Sequence, residues 1–361
     1  MTMLALVYHG PEDLRLERRA VPSIGPGEML LQVEAASVCA TDLRIIQGGH
    51  RKYPPGTIRI PGHEMVGALA GIGRNATGYR LGERVFVAPN VGCGQCPQCL
   101  AGRNNLCPDY EAFGITMDGA FAEFMRISEA AIRQGNVIPL RSEGDPAGLA
   151  LAEPLACVLR GQEGVQVKER DVVLILGAGP IGIMHLLLAR RRGARRVLVI
   201  DQSAPRLAKA AELGAGRVID FARENAAEAV RRETGGEGAD VVIVATAARD
   251  AVESSVGLAA VRGRISLFAG LPREHSAISL DTNLIHYKEL VVTGSTGCST
   301  GDCRRAVELV VSGAIDLRPL ISGQFPLREA AAALEAARDS QGLKVVLRPA
   351  AGGRSDEEAI R

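Results

Sequence analysis

Val172-Val-Leu-Ile-Leu176-Gly177-Ala-Gly179-Pro180-Ile181-Gly182 is the stretch on which the fold turns. Five consecutive apolar residues read as a parallel strand covered on both faces, because a strand with one wet face would alternate. The glycines follow in the pattern G-x-G-x-x-G and open a helix, the context that gives that motif its meaning. Gly177 permits the tight turn, Gly179 lets the backbone approach a pyrophosphate, and Gly182 allows close helix–strand packing. Pro180 and Ile181 lie in the same turn, where the helix N-terminus faces the anion. The next apolar strand, Arg196–Ile200, ends at Asp201, about twenty residues further on. Its carboxylate would accept hydrogen bonds from adenosine ribose hydroxyls and repel a 2′-phosphate, which favours NAD over NADP. Arg206 close by works the other way. The competing reading is a structural turn with an ordinary surface aspartate.

Outward from this motif the texture alternates. Helical segments (181–192, 207–213, 226–233) separate short apolar strands (217–219, 239–245, 265–269, 290–294). That is a doubly wound α/β domain. The earlier part is β-rich, with runs at 4–8, 29–35 and 83–88 bounded by Gly and Pro. A Gly/Pro-rich excursion covers 89–118, too long to be an idle loop. A helix near 148–162 leads into the α/β region. Helices at 303–312 and 327–337 and a strand at 344–347 follow it, then a small, charged tail.

The chain has 361 residues, enough for about two domains. With 47% hydrophobic and 23% charged residues, disorder as the main state is excluded. Net charge is +1, so no field draws the chain to nucleic acid or anionic membrane. Aromatics are 3% with no Trp, a poor supply for base stacking. Basic residues are nearly all Arg, with Lys only at 52, 168, 209, 288 and 344. The first ten residues lack the length and basic flank of a signal peptide. The apolar stretch 172–189 is punctuated by glycines and is no membrane span. A soluble, cytoplasmic protein is expected, with no nucleic-acid or membrane partner.

Cysteines stand at 39, 93, 96, 99, 107, 157, 298 and 303, four of them within fifteen residues. Cys93, Cys96, Cys99 and Cys107 have spacers of two, two and seven. Four thiolates close a tetrahedral zinc site with no position left for substrate, so the site is structural. Gly92 and Gly94 ease the turning of the loop. An iron–sulfur cluster is the rival ligand. A nucleic-acid-reading zinc module is poorly supported, since only Arg103 supplies basic charge in the loop.

A second constellation is scattered: Cys39-Ala-Thr41-Asp42 after a strand, Gly62-His63-Glu64 in a turn, and Glu153-Pro154 opening a helix. Together, and in this order with the cysteine loop and the glycine motif, these residues resemble the zinc-dependent medium-chain alcohol and polyol dehydrogenases over nearly the whole chain. The resemblance implies a GroES-like catalytic domain (1–152 and 296–361) interrupted by a Rossmann NAD-binding domain (153–295). It implies two Zn2+ per chain. Cys39, His63, Glu64 and Glu153 would serve the catalytic one. Cys157 competes with Glu153. Asp42 would orient His63, and Thr41 would relay the substrate's proton. The implied reaction is hydride transfer from a secondary alcohol to NAD, aided by a Lewis acid.

Three departures bear on the substrate. Arg44 occupies the position where many relatives place a proton-relaying His, and Arg cannot act as a base; His50 or water would substitute. Gly294-Ser-Thr-Gly-Cys-Ser299 lacks the Arg-Tyr pair of mammalian-type sorbitol dehydrogenases. It also lacks the aromatic and acidic segment of threonine dehydrogenases. The stretch 283–289, with His286, resembles bacterial members acting on sugars, polyols and cyclitols. The expected substrate is thus a polyol, sugar alcohol or cyclitol. Threonine or butanediol is the alternative, and a zinc- and NAD-binding sensor without catalysis is the non-enzyme reading. Family members are usually homodimers or homotetramers.

Overall fold

The computed structural model describes residues 1–141, 144–272, 275–339 and 341–349. The chain forms two compact units: Met1–Ala156 with the segment from Cys298 onward, and Cys157–Gly297. The sequence reading placed the first boundary at 152/153. The break falls instead inside the continuous helix Ala152–Gly164, where no turn residue marks it, so Glu153 belongs to the first unit.

In the first unit β1 (Thr2–Gly10) and β2 (Asp13–Ala20) form an antiparallel hairpin. β2 reads Asp-Leu-Arg-Leu-Glu-Arg-Arg-Ala and is largely exposed, which is why its sequence carries little strand signal. β3 (Met29–Ser37), β4 (Glu64–Ile72) and β5 (Arg84–Val87) then lie side by side and antiparallel. The short pair β6 (Asn90–Val91) and β7 (Glu111–Ala112) clasps the base of the cysteine excursion. β8 (Phe124–Ile127) pairs with β3, and β9 (Val137–Pro139) with β5. The core between these strands holds Met29, Leu31, Met65, Phe121 and Met125, all nearly or fully inaccessible.

The second unit is a six-stranded parallel sheet. Its strands are β10 (Val172–Leu176), β11 (Arg196–Asp201), β12 (Arg217–Asp220), β13 (Ala239–Val244), β14 (Ala259–Leu267) and β15 (Val291–Gly294). They are ordered 12-11-10-13-14-15, so the order reverses beside β10. Every residue of β10 is buried. The helices Arg249–Leu258 and Thr282–Tyr287 complete the crossovers; the sequence reading did not anticipate them. Within this unit His185 is fully buried, its ring edge-on to Phe268 at 4.7 Å, and burial pushes its pKa down to about 3.

The chain then returns to the first unit through β16 (Ile321–Pro326) and β17 (Lys344–Arg348). β17 pairs antiparallel with β3, giving the sheet order 16-17-3-4-5-9. Among the described residues no helix is long and apolar enough to cross a membrane.

Candidate active site and metal centres

Three strand ends converge at the first centre. Ser37 closes β3, and register places it opposite Glu64, the first residue of β4, and opposite Val346 of β17. Just past β3, Cys39 caps the helix Ala40–Ile46. The Thr41 N–H points to Cys39 Sγ at 3.5 Å, and the Cys39 N–H donates to Asp42 Oδ2 at 2.9 Å. Asp42 Oδ1 also accepts from the Gly62 N–H at 3.3 Å and stands 3.3 Å from His63 Nδ1. One buried carboxylate therefore holds the backbone at both Cys39 and Gly62, and steadies the ring between. Gly62 has φ +95°, and a Cβ there would strike the Phe121 ring at 2.5 Å, so only glycine delivers His63 to this point.

Cys39, His63 and Glu64 each present a ligand atom within 4.8 Å of the others. His63 and Glu64 are buried. Burial opposes a charge on His63, but Asp42 and Cys39 outweigh it and raise its pKa. Glu64 Oε1 is buried and has no hydrogen-bond partner. A sulfur, an imidazole and an orphaned carboxylate oxygen in one pocket suit zinc. Glu64 Oε2, by contrast, is held by Ser37 Oγ and by Lys344 Nζ, the latter at 2.5 Å. Burial works against the Lys344 charge, yet Glu64 and Cys39 raise its pKa.

Glu153 does not join the Cys39–His63–Glu64 trio. Its Oε1 faces Cys298 Sγ at 3.5 Å, and Cys298 Sγ lies 3.5 Å from Cys303 Sγ. Burial pushes the Glu153 pKa up to about 7, with Glu64 adding to the rise and His63 opposing it. The sequence reading missed Ser37, Lys344 and Cys298. A lysine heading an apolar strand, in a chain with few lysines, was the available signal for Lys344.

The second centre is the cysteine loop. The N–H groups of Cys93, Cys96 and Cys99 donate to Cys107 Sγ, Cys93 Sγ and Cys96 Sγ at 3.3, 3.4 and 3.5 Å. All four sulfurs lie within 4.8 Å of one another. Backbone N–H bonds lower the Cys93 pKa to about 7, while burial pushes Cys99 up to about 12. Four thiolates cannot ionise together in this space without a cation. A Cβ on Gly92 would meet Cys99 Sγ at 2.4 Å, so the loop closes only with glycine there. The S4 donor set and its tight cradle fit a closed zinc site.

In the second unit Gly177 follows β10 with φ +108°. A Cβ on Gly182 would lie 1.8 Å from the Gly177 carbonyl. Gly179 caps the helix Pro180–Arg191, and the Arg206 guanidinium reaches to 3.8 Å from where a Gly179 Cβ would be. Asp201 closes β11. Its Oδ2 accepts from the Ala178 N–H at 2.6 Å, and its Oδ1 from Gln202 and Ser203 at 2.7 and 2.8 Å. A cavity of about 460 Å³ opens here, lined by Gly177, Asp201, Arg206, Phe221, Thr246 and Leu258 among others. That volume is within the range of small-molecule sites.

Known proteins place this architecture. Residues 25–137 match the alcohol dehydrogenase GroES-like domain, and residues 180–312 the zinc-binding dehydrogenase domain. The chain is 34% identical to an L-threonine 3-dehydrogenase of Caldanaerobacter subterraneus subsp. tengcongensis, covering 97% of this chain and 99% of that one. It is 32% identical to the L-threonine 3-dehydrogenase of Bacillus subtilis, covering 91% and 93%. Among solved structures it resembles a protein of Sinorhizobium meliloti 1021 assigned as a zinc-binding dehydrogenase and bound to NADP. That match has TM-score 0.90 and 31% identity, covering 97% of this chain and all of the other. The chain belongs to the zinc-dependent medium-chain alcohol dehydrogenase family. It is a nicotinamide-dependent oxidoreductase of the zinc alcohol-dehydrogenase type.

Proposed function

We propose that this chain oxidises a secondary alcohol to a ketone with NAD as hydride acceptor, at a centre built from Cys39, His63 and Glu64. The observation that carries the reading is the buried trio of ligand atoms within 4.8 Å, with Glu64 Oε1 unpartnered. Zinc, when bound, supplies a Lewis acid that makes the alcohol hydroxyl more acidic. The chain's own residues do the rest. Asp42 fixes the backbone at Cys39 and Gly62 and lies against His63. Thr41, in the first turn beside Cys39, takes the hydroxyl proton onward. Glu153, poised near pH 7 by burial, is a second carboxylate for the same ion or for a water. Cys93, Cys96, Cys99 and Cys107 hold a structural zinc.

Asp201 supports NAD over NADP, because its carboxylate lies at the end of β11 on the cavity wall, where a 2′-phosphate would meet negative charge. Arg206 on the same wall reduces the margin. For the substrate, a polyol, sugar alcohol or cyclitol is the main reading, from the stretch 283–289. A second reading, L-threonine, is favoured by the names of the full-length relatives. A homodimer or homotetramer is expected in solution.

The test is direct. Purified protein, with zinc quantified, is mixed with NAD and a panel of sugar alcohols, inositols, L-threonine, butanediol and simple alcohols, following NADH absorbance. A strong rate on one polyol supports the main reading, and a strong rate on L-threonine replaces it with the second. Silence across the panel, with two zinc ions bound per chain, favours the sensor reading.

A further inference from the structure

We propose that Lys344 is a positioning residue that holds Glu64 by one carboxylate oxygen and so limits it to the other as a metal ligand. The inference rests on the reading that Glu64 faces the catalytic ion. Register brings the parts together. β17 pairs with β3 at Val346–Ser37, and β3 pairs with β4 at Ser37–Glu64. Lys344, two residues before Val346, projects to the same face as Val346 and reaches the strand ends. Its Nζ donates to Glu64 Oε2 at 2.5 Å and to the Val38 carbonyl at 2.8 Å. Ser37 Oγ donates to the same Oε2. The second oxygen, Oε1, is left buried and without a hydrogen bond.

The burial makes this more than packing. Lys344 is 4% exposed and Glu64 fully buried. Val345, Val346 and Leu347, which follow Lys344 on β17, are apolar and buried. Swapping a buried ion pair for apolar residues is often neutral or stabilising, so such a pair is weak evidence of a stability role. Here the ammonium divides the two oxygens of one carboxylate into a held one and an offered one. With the ammonium gone, Oε2 turns toward the cation as well, adds a ligand and occupies room that the alcohol needs.

The test uses the full-length holoenzyme with Co(II) in the catalytic site. Lys344→Met, Lys344→Arg, Ser37→Ala and Glu64→Gln are compared by the cobalt ligand-field band, by zinc release to a chelator, and by kcat and KM. In Lys344→Met the band should weaken about twofold as coordination number rises, and zinc release should slow several-fold. kcat should fall more than KM changes. Lys344→Arg should restore all three, and Ser37→Ala should shift them the same way by less. If Lys344→Met does not fold, Ser37→Ala and Lys344→Arg still decide the matter. If Glu64→Gln alters the band and neither Lys344→Met nor Ser37→Ala does, the role of Lys344 is overturned. If Glu64→Gln itself leaves the band unchanged, the placement of Glu64 at the ion fails first, and the inference with it.

Discussion

Replacing Asp201 with alanine separates two roles that one carboxylate performs. It accepts N–H bonds from Ala178 in the glycine loop and from Gln202 and Ser203 in the turn after β11. It also stands on the wall of the 460 Å³ cavity. Losing the Ala178 bond loosens the loop that would face the pyrophosphate. A charge-assisted bond contributes about 1.5–3 kcal/mol, so kcat/KM should fall by about 10–150-fold for NAD and NADP alike. Losing the negative charge acts on one cofactor only. A carboxylate about 5 Å from a phosphate, at an effective dielectric constant of about 20, is repelled by about 3 kcal/mol per unit charge. Partial exposure reduces that to about 1–3 kcal/mol. The NAD-to-NADP preference should therefore move toward NADP by about 5–150-fold. Initial rates with each cofactor at saturating alcohol give kcat/KM for both. Their ratio cancels the loop effect. If both values drop while the ratio stays within about twofold of wild type, the ribose role is refuted and Asp201 is only a clasp for the loop.

Cys39→Ser should lower turnover by roughly 100-fold or more while the thermal unfolding profile is kept, because it opens only the catalytic centre; full activity would sink the assignment. Cys99→Ser should instead lower Tm by roughly 5–15 °C with kcat per folded chain little changed, since a structural zinc contributes folding free energy. An unchanged Tm with lost catalysis would mean that the two centres are misassigned. His185, neutral in the fold with its pKa near 3, makes the wild type less stable in acid. Below about pH 6.5 the unfolded chain binds a proton that the folded chain refuses, so stability drops by about 1.4 kcal/mol per pH unit, or about 2 kcal/mol by pH 5. Stability from this group is fully present above pH 6.5 and is lost as pH falls toward 3. Urea midpoints at pH 7 and pH 5 should therefore converge in His185→Gln. Equal pH dependence in both proteins would show that the buried imidazole is not the titrating group.

What could be read along the chain was what is local. The β10 run, the glycine turn and Asp201 lie within thirty residues, and a turn cannot be built otherwise when a Cβ on Gly182 would sit 1.8 Å from a carbonyl. The four-cysteine loop is likewise local, and its spacing alone points to a closed tetrahedral site. The trio Cys39, His63 and Glu64 was legible only through its resemblance to a family pattern, since His63 and Glu64 lie 24 and 25 residues beyond Cys39, across a helix and a loop. The buried runs of β3, β5, β10, β11 and β13 announced themselves; β4, broken by Gly67 and Gly71, the exposed β2, and the helices Arg249–Leu258 and Thr282–Tyr287 did not, because their apolar pattern is interrupted or weak.

Tertiary structure decided the rest. Glu153 reads as a ligand in the chain; in the fold its Oε1 also meets the Cys298 thiol, 145 residues away, while His63 and Glu64 act on its charge. Ser37 and Lys344 are anonymous in the chain. They meet on Glu64 because β17 comes back, across the whole second unit, to pair with β3. Strand register is set by non-local pairing and by which face must be buried, so no local periodicity records it. The residue types at this centre were written in the sequence; which oxygen of Glu64 is held and which is left without a hydrogen bond was decided only when three strand ends came together.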